Sequence, residues 1–214
     1  MFAICDEESI KLKSVIHNGK YGFVDEAGLE VIPCKYDYVG DFKVGNLIWV
    51  NARDRIGLFD KSGHEITPCI YSGIDFLRDF SEGLLAVRRG DRWGFIDMNG
   101  REVIPCQYED ASGYREGLAR VMRNNCFGFI DKTGHEVIPC KYSDAGEFSE
   151  GLTWVEMEGK CGHIDKTGKI VIPFVFYRAF AFDRGIARVI TADPEVVDNW
   201  SYSYIDKDGE LVNP

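Results

Sequence analysis

No stretch of this 214-residue chain approaches the eighteen or so consecutive apolar residues that a membrane-spanning helix needs, so no membrane helix is expected. Basic charge is in short supply. Lys and Arg number 25 against 35 Asp and Glu, and the balance of 25 − 35 = −10 would repel a phosphate backbone, which argues against nucleic acid as a partner. The chain has no C-x-x-C pair of a zinc or redox site, no H-E-x-x-H, no G-x-S-x-G and no Gly-rich phosphate cradle. No metal or cofactor is therefore expected. Met1 to Lys13 places Asp6, Glu7 and Glu8 close behind a very short apolar start, whereas a signal peptide needs a basic start and a longer apolar run.

What the chain does have is a repeat. F-G-F-I-D-K-T-G-H-E-V-I-P-C-K-Y, residues 127–142, returns as 21–36, 56–71, 93–108 and 161–176, with a truncated copy at 202–214. Gly22, Gly57, Gly94, Gly128 and Gly162 lie 35, 37, 34 and 34 residues apart, and Ser203 takes that place after a step of 41. A proline follows each anchor by eleven residues: Pro33, Pro68, Pro105, Pro139, Pro173 and Pro214. Periods of this size belong to solenoids, propellers and arrays. The cysteines number seven, an odd count, and Cys34, Cys69, Cys106 and Cys140 each follow a repeat proline. Equivalent positions in successive copies are a repeat width apart, beyond the roughly 7 Å of disulfide reach, so reduced thiols and a cytoplasmic setting are expected.

The strands follow from the same register. Val15, Val50, Val87, Val121 and Val155 each precede their Gly by seven residues, which marks a first strand of L-x-x-V type. Its period of two sets Ala119 and Val121 toward a core and leaves Leu118 and Arg120 only partly covered. Trp49 and Trp154 stand where Arg120 and Arg188 stand elsewhere, a rim slot for a long or flat side chain. The second strand carries aromatic-Gly-aromatic, as in Trp93-Gly94-Phe95; the Gly is expected to make room for a ring of a neighbouring unit. A D-x-x-G turn follows, Asp131 to Gly134 for example, in which Asp accepts backbone N–H bonds and Gly supplies a left-handed residue. The third strand is expected to end at its proline. Tyr36, Tyr71, Tyr108, Tyr142 and Phe176 then anchor a connecting loop. The loop reaches a second ring, Phe42, Phe80, Tyr114, Phe148 or Phe182, followed in three copies by S-E-G or R-E-G.

This reading gives an all-β chain forming a single repeat domain, 1–214, of six units at about 10–36, 45–71, 82–108, 116–142, 150–176 and 184–214. Each is a three-stranded β-meander, and together they form a superhelical, solenoid-like array or, alternatively, a closed six-bladed propeller-like ring. The sixth unit is seven residues longer than its siblings (41 − 34 = 7), and the extra stretch within Ile190 to Tyr202 holds Asp193, Glu195, Asp198 and Trp200. It is either a partner-binding loop or a cap.

W-G-F-I-D, D-x-x-G, E-V-I-P and F-S-E-G-L together resemble the bacterial WG-repeat family, also called KWG repeats, over essentially the whole chain. The chain departs from that pattern at Ile56, Cys161, His163 and Ser203, and has Cys after the proline where the family often has a second Pro. The resemblance implies a β-repeat interaction module without assigned chemistry. Among the histidines, His64 and His135 share a tolerant slot after the turn Gly, His163 replaces a strand-two aromatic, and His17 follows strand one. None pairs with a Ser or Cys at a recognisable spacing, so no catalytic residues are assigned. The expected function is a non-catalytic scaffold binding a protein partner through Lys35, Ile70, Gln107, Lys141 and the loop tips. The alternatives are an immunity-type neutraliser of a basic toxin or effector, and an enzyme with a cryptic site.

Overall fold

The computed structural model describes residues 11–41, 47–75, 80–191 and 202–213. Every regular element among them is a β-strand, and the strands form six small antiparallel sheets in tandem. The fourth sheet shows the plan. Asp110–Ala111, Ala119–Arg123, Cys126–Ile130 and Glu136–Tyr142 pair in sequence order. The last three are the expected strands one, two and three. The first is a further short strand, present among the described residues in every sheet but the first, and here its two residues carry too little pattern to be visible in the sequence. Strands one and two meet through Asn124-Asn125 at φ 53° and 58°, the left-handed pair that a two-residue hairpin turn requires.

The D-x-x-G turns are built as expected. Oδ1 of Asp131 accepts the N–H of Thr133 (2.9 Å) and of His135 (3.0 Å), and the N–H of Gly134 returns to the Asp131 carbonyl (3.0 Å). Asp25, Asp60, Asp97, Asp165 and Asp206 repeat the pattern. These six carboxylates are architectural. Each turn after the first also packs backward: a Cβ on Gly134 would touch Ile104 of the preceding sheet at 3.3 Å, and one on Gly168 would touch Ile138 at 3.4 Å.

Two expectations about strands two and three are corrected. Trp93 pairs with Tyr108 and Phe95 with Ile104, so the single residue Gly94 faces three, Pro105, Cys106 and Gln107. Strand three therefore runs on through its proline to the tyrosine, and the proline sits in a bulge where no ladder donor is missed. That bulge, not a ring from another unit, is why Gly is needed. A Cβ on Gly94 would lie 2.5 Å from the Ile104 carbonyl oxygen and 2.7 Å from the Cys106 nitrogen. The rings pair with one another instead: Phe95 meets Tyr114 and Phe129 meets Phe148 edge to face, with centroids 5.0 and 4.9 Å apart.

The core lies between sheets. Five clusters of buried side chains join the first sheet to the second, and so on to the sixth. None among the described residues joins the sixth to the first. Strand one of a middle sheet is covered on both sides: Leu85 and Val87 face the second sheet while Leu84 and Ala86 face the fourth. The expectation that the Leu118 face is only partly covered is thus corrected, because Leu118 is buried against the fifth sheet. That fourth-to-fifth cluster has eight buried members. At roughly 1.5–3 kcal/mol for each large side chain, its loss would forfeit on the order of 10 kcal/mol, comparable with the whole stability of an ordinary domain. One sheet alone has no means of covering this surface.

Candidate functional site: the groove between successive S-E-G turns

The S-E-G segments are tight turns between the loop ring and strand one. In Ser81-Glu82-Gly83-Leu84 the bridge closes from Ser81 to Leu84, and both central residues are left-handed, Glu82 at φ 53° and Gly83 at 90°. Glu116 and Glu150 repeat this at 51° and 55°. A non-glycine residue held there costs on the order of 1 kcal/mol, and its carboxylate offsets that cost by reaching the next unit. Glu82 accepts the N–H of Gly117 at 3.0 Å and pairs with Lys132 at 2.9 Å. Glu116 does the same with Gly151 and Lys166, both at 3.0 Å, and Glu150 with Gly185 and Lys207, both at 3.0 Å.

Three clamps of one design therefore tie the third sheet to the fourth, the fourth to the fifth and the fifth to the sixth. Partial burial pulls the carboxyl of Glu116 upward. The hydrogen bonds from Lys166 and Gly151 outweigh it and hold the group below the usual glutamate range. Serine adds a second tie: the Ser81 hydroxyl donates to the Tyr114 carbonyl, and that of Ser149 to the Phe182 carbonyl at 2.6 Å.

These turns line one groove of about 770 Å³ running across four sheets, from Ser81 and Glu82 through Tyr114, Arg115 and Glu116 to Glu147, Phe148, Ser149 and Ala181. Arg115 pairs with Glu147 at 3.7 Å. Arg120 enters from below: its Nη1 donates to the Ala145 carbonyl at 2.6 Å and its Nη2 lies 3.5 Å from Asp110. The carboxylates of Glu82 and Glu116 and the hydroxyls of Ser81 and Ser149 are spent on neighbouring units, which gives a floor of alternating charge. The sequence signal was present, since each clamp pairs the Glu of one S-E-G with the Lys of a later D-K-x-G turn, but the pairing spans 50 or more residues and shows only once the sheets are stacked.

The sequence-assigned loop residues Asp193, Glu195, Asp198 and Trp200 lie outside the described residues. Lys35, Ile70, Gln107 and Lys141, joined by Val175, are all exposed at one place in successive bulged strands. The four repeat cysteines fill the bulges with Sγ 3.8–4.0 Å from the valine carbonyl of strand one. All six described cysteines are unpaired thiols, and burial pushes Cys140 up to about 11. His163 is wholly buried between the fifth and sixth sheets, where Nε2 meets the Phe180 carbonyl at 3.1 Å and Nδ1 has no partner. Its ring lies edge to face on Phe182 at 5.0 Å, as phenylalanine does in sister units. Burial holds its pKa below the ordinary value.

Sheets of three or four strands, in tandem and sharing cores only with their neighbours, define a β-repeat protein of propeller-like blades. The model of the WG containing repeat matches at residues 21–54, 56–93, 93–125, 127–161 and 162–191, and the chain belongs to that family. No curated protein matches the sequence. Among solved structures, a eukaryotic initiation factor is similar with a TM-score of 0.52 at 12% identity, over 94% of this chain and 62% of that one. This is a likeness of fold alone, and the chain spans only about three fifths of that structure. Hsv2 of Kluyveromyces lactis is similar with a TM-score of 0.48 at 12% identity, over 78% of this chain and 58% of that one.

Proposed function

We propose that the chain is a non-catalytic scaffold that binds a protein partner. One observation carries this reading. The residues that recur from unit to unit are consumed by the architecture, whereas the exposed row Lys35, Ile70, Gln107, Lys141 and Val175 changes between adjacent units at one geometric position. A surface in which the frame is constant and the displayed side chains vary is how repeat proteins present a recognition face. The groove supports the same reading, because its two serine hydroxyls each donate to a backbone carbonyl of the next unit. The test is retention of a partner from the native host by the wild-type chain, a Lys35→Glu/Lys141→Glu variant, and a chain lacking Asp193 to Asn199. The expected result is one retained protein that the charge-reversed row or the loop deletion releases. A partner held equally by all three would overturn this assignment of the surface, and turnover of a substrate by the purified chain would overturn the reading itself.

The net charge of −10 favours one variant of this role, a neutralising binder of a basic toxin or effector in the cytoplasm. Its mark is an association rate that falls steeply with added salt.

A further inference from the structure

The fourth and sixth sheets each place an arginine in the rim slot of strand one and seat its guanidinium on a ring at or just before the start of strand two. Arg120 lies 4.9 Å from the centroid of Phe127, and Arg188 lies 5.3 Å from that of Tyr202 and 5.1 Å from that of Phe180. Arg120 is further held by Asp110 and by the Ala145 carbonyl. The fifth sheet breaks both halves of this pair. Trp154 stands in the arginine slot and Cys161 in the ring slot. The Trp154 indole is turned onto Gly146 of its own sheet, where a Cβ would come within 2.6 Å of its Cδ1.

The carboxylate and the alanine of the seat are retained, while Arg178 stands beside Ala179 where the fourth-to-fifth junction has Asp144 beside Ala145. Asp144 is the counterpart of Asp110, and Ala179 that of Ala145. What results is a pocket of about 250 Å³ between the fifth and sixth sheets, lined by Asp144, Trp154, Glu156, Cys161, Tyr177 and Phe180, with Ala179 at its wall and Arg178 also contributing. One oxygen of Asp144 takes the Ala145 N–H at 2.8 Å, and Glu156 takes the Ser143 hydroxyl at 3.1 Å. A ring at this junction already receives a cation from within the chain, since Lys160 Nζ lies 3.0 Å from the Tyr177 centroid.

We propose that this pocket binds an alkylguanidinium group, seated as Arg120 seats its own one unit earlier. The carboxylate of Asp144 takes the forked N–H donors, the Trp154 indole covers the flat cation between Tyr177 and Phe180, whose own rings also meet Lys160 and Arg188, and Glu156 adds a second negative charge. The group is that of an arginine side chain on a bound polypeptide or of a free guanidino compound. The pocket does not depend on the scaffold reading, because it follows from how sister units fill the same slots.

The test is a titration of the isotope-labelled full chain with ethylguanidinium, read from the indole N–H of Trp154 and the backbone amides around residues 144, 154–156 and 177–180. Saturable shifts confined to those positions are expected. Ethylammonium should bind about tenfold more weakly, since it lacks the planar fork, and neutral urea should leave the same signals in place. Asp144→Asn should weaken ethylguanidinium about tenfold or more. Trp154→Arg, which returns the slot to its state in the fourth sheet, should abolish the response while the rest of the spectrum keeps its dispersion. If Trp154→Arg fails to fold, Asp144→Asn and Glu156→Gln decide. No saturable shift, an equal response to urea, or binding unchanged in Asp144→Asn would each overturn the proposal. Within a positive result, tighter binding of a capped arginine peptide than of ethylguanidinium assigns the seat to a polypeptide side chain. Equal or weaker binding assigns it to a free compound.

Discussion

Replacing Gly128 with alanine puts the bulge account under direct strain. The added Cβ would stand 2.6 Å from both the Ile138 carbonyl oxygen and the Cys140 nitrogen, and these are backbone atoms of the neighbouring strand. Neither is the end of a flexible side chain, so strand three must move by several tenths of an ångström and loosen Ile138 and Tyr142 in the fourth-to-fifth core. Overpacking of this kind costs about 1–3 kcal/mol, and a backbone obstacle places the value at the upper end, about 3 kcal/mol. The smaller unfolded-state entropy of alanine returns about 0.4–1 kcal/mol. A net loss of about 2 kcal/mol should therefore lower the urea midpoint by about 1 M, for a slope of about 2 kcal/mol per molar. Gly117→Ala is the control. That residue sits at φ 91° with open space around it, so only conformational strain, on the order of 1 kcal/mol, is expected. The measurement is urea unfolding followed by circular dichroism and tryptophan fluorescence. Wild-type stability for Gly128→Ala, or equal losses for the two variants, would refute the steric argument.

Three other perturbations follow from the packing. Thr67 holds the place that Ile104 and Ile138 hold in sister sheets, and its buried hydroxyl has no hydrogen-bond partner. Thr67→Val should stabilise the chain by about 1 kcal/mol in the same urea assay. His163 is held neutral by burial, so its contribution is fully present above the ordinary histidine value of about 6.5 and is lost as pH falls from there through the lowered folded value. His163→Phe should flatten the melting temperature between neutral and mildly acidic pH, whereas an unchanged slope would contradict the burial argument. The lowered carboxyl of Glu116 works in a more acidic window: the clamp is intact above the usual glutamate range, about 4.3, and fails as pH falls through the depressed value. Because both partners are largely solvated, Glu116→Gln should cost only about 0.5–1 kcal/mol at neutral pH, less in high salt, as read from paired melts.

The parts of this fold that the sequence exposed are those whose bonds are local. Asp131 reaches Thr133 and His135, two and four residues on, so D-x-x-G carries its own explanation. Gly128 was visible as a requirement but not as a mechanism, because the three residues opposing it belong to a bulge whose register depends on pairing between strands. The reading of Leu118 failed for a related reason. Alternation predicts one covered face, and a sheet sandwiched between two siblings has two. The clamp from Glu116 to Gly151 and Lys166 and the groove above it were hidden because they exist only when units stack. The pocket at Trp154 could have been noticed as a paired departure, Arg to Trp with Phe to Cys, although nothing in one sequence says that the two positions touch.

The central claim is that each sheet is stabilised by the cores it shares and not by one of its own. A fragment series tests it most directly: residues 110–142, one sheet; 110–176, two sheets with one shared core; and 73–176, three sheets with two. Circular dichroism and amide dispersion should show the first unfolded, with cooperative β structure and rising urea midpoints as shared cores are added. A folded, cooperatively melting 110–142 fragment, as stable as the longer ones, would contradict it.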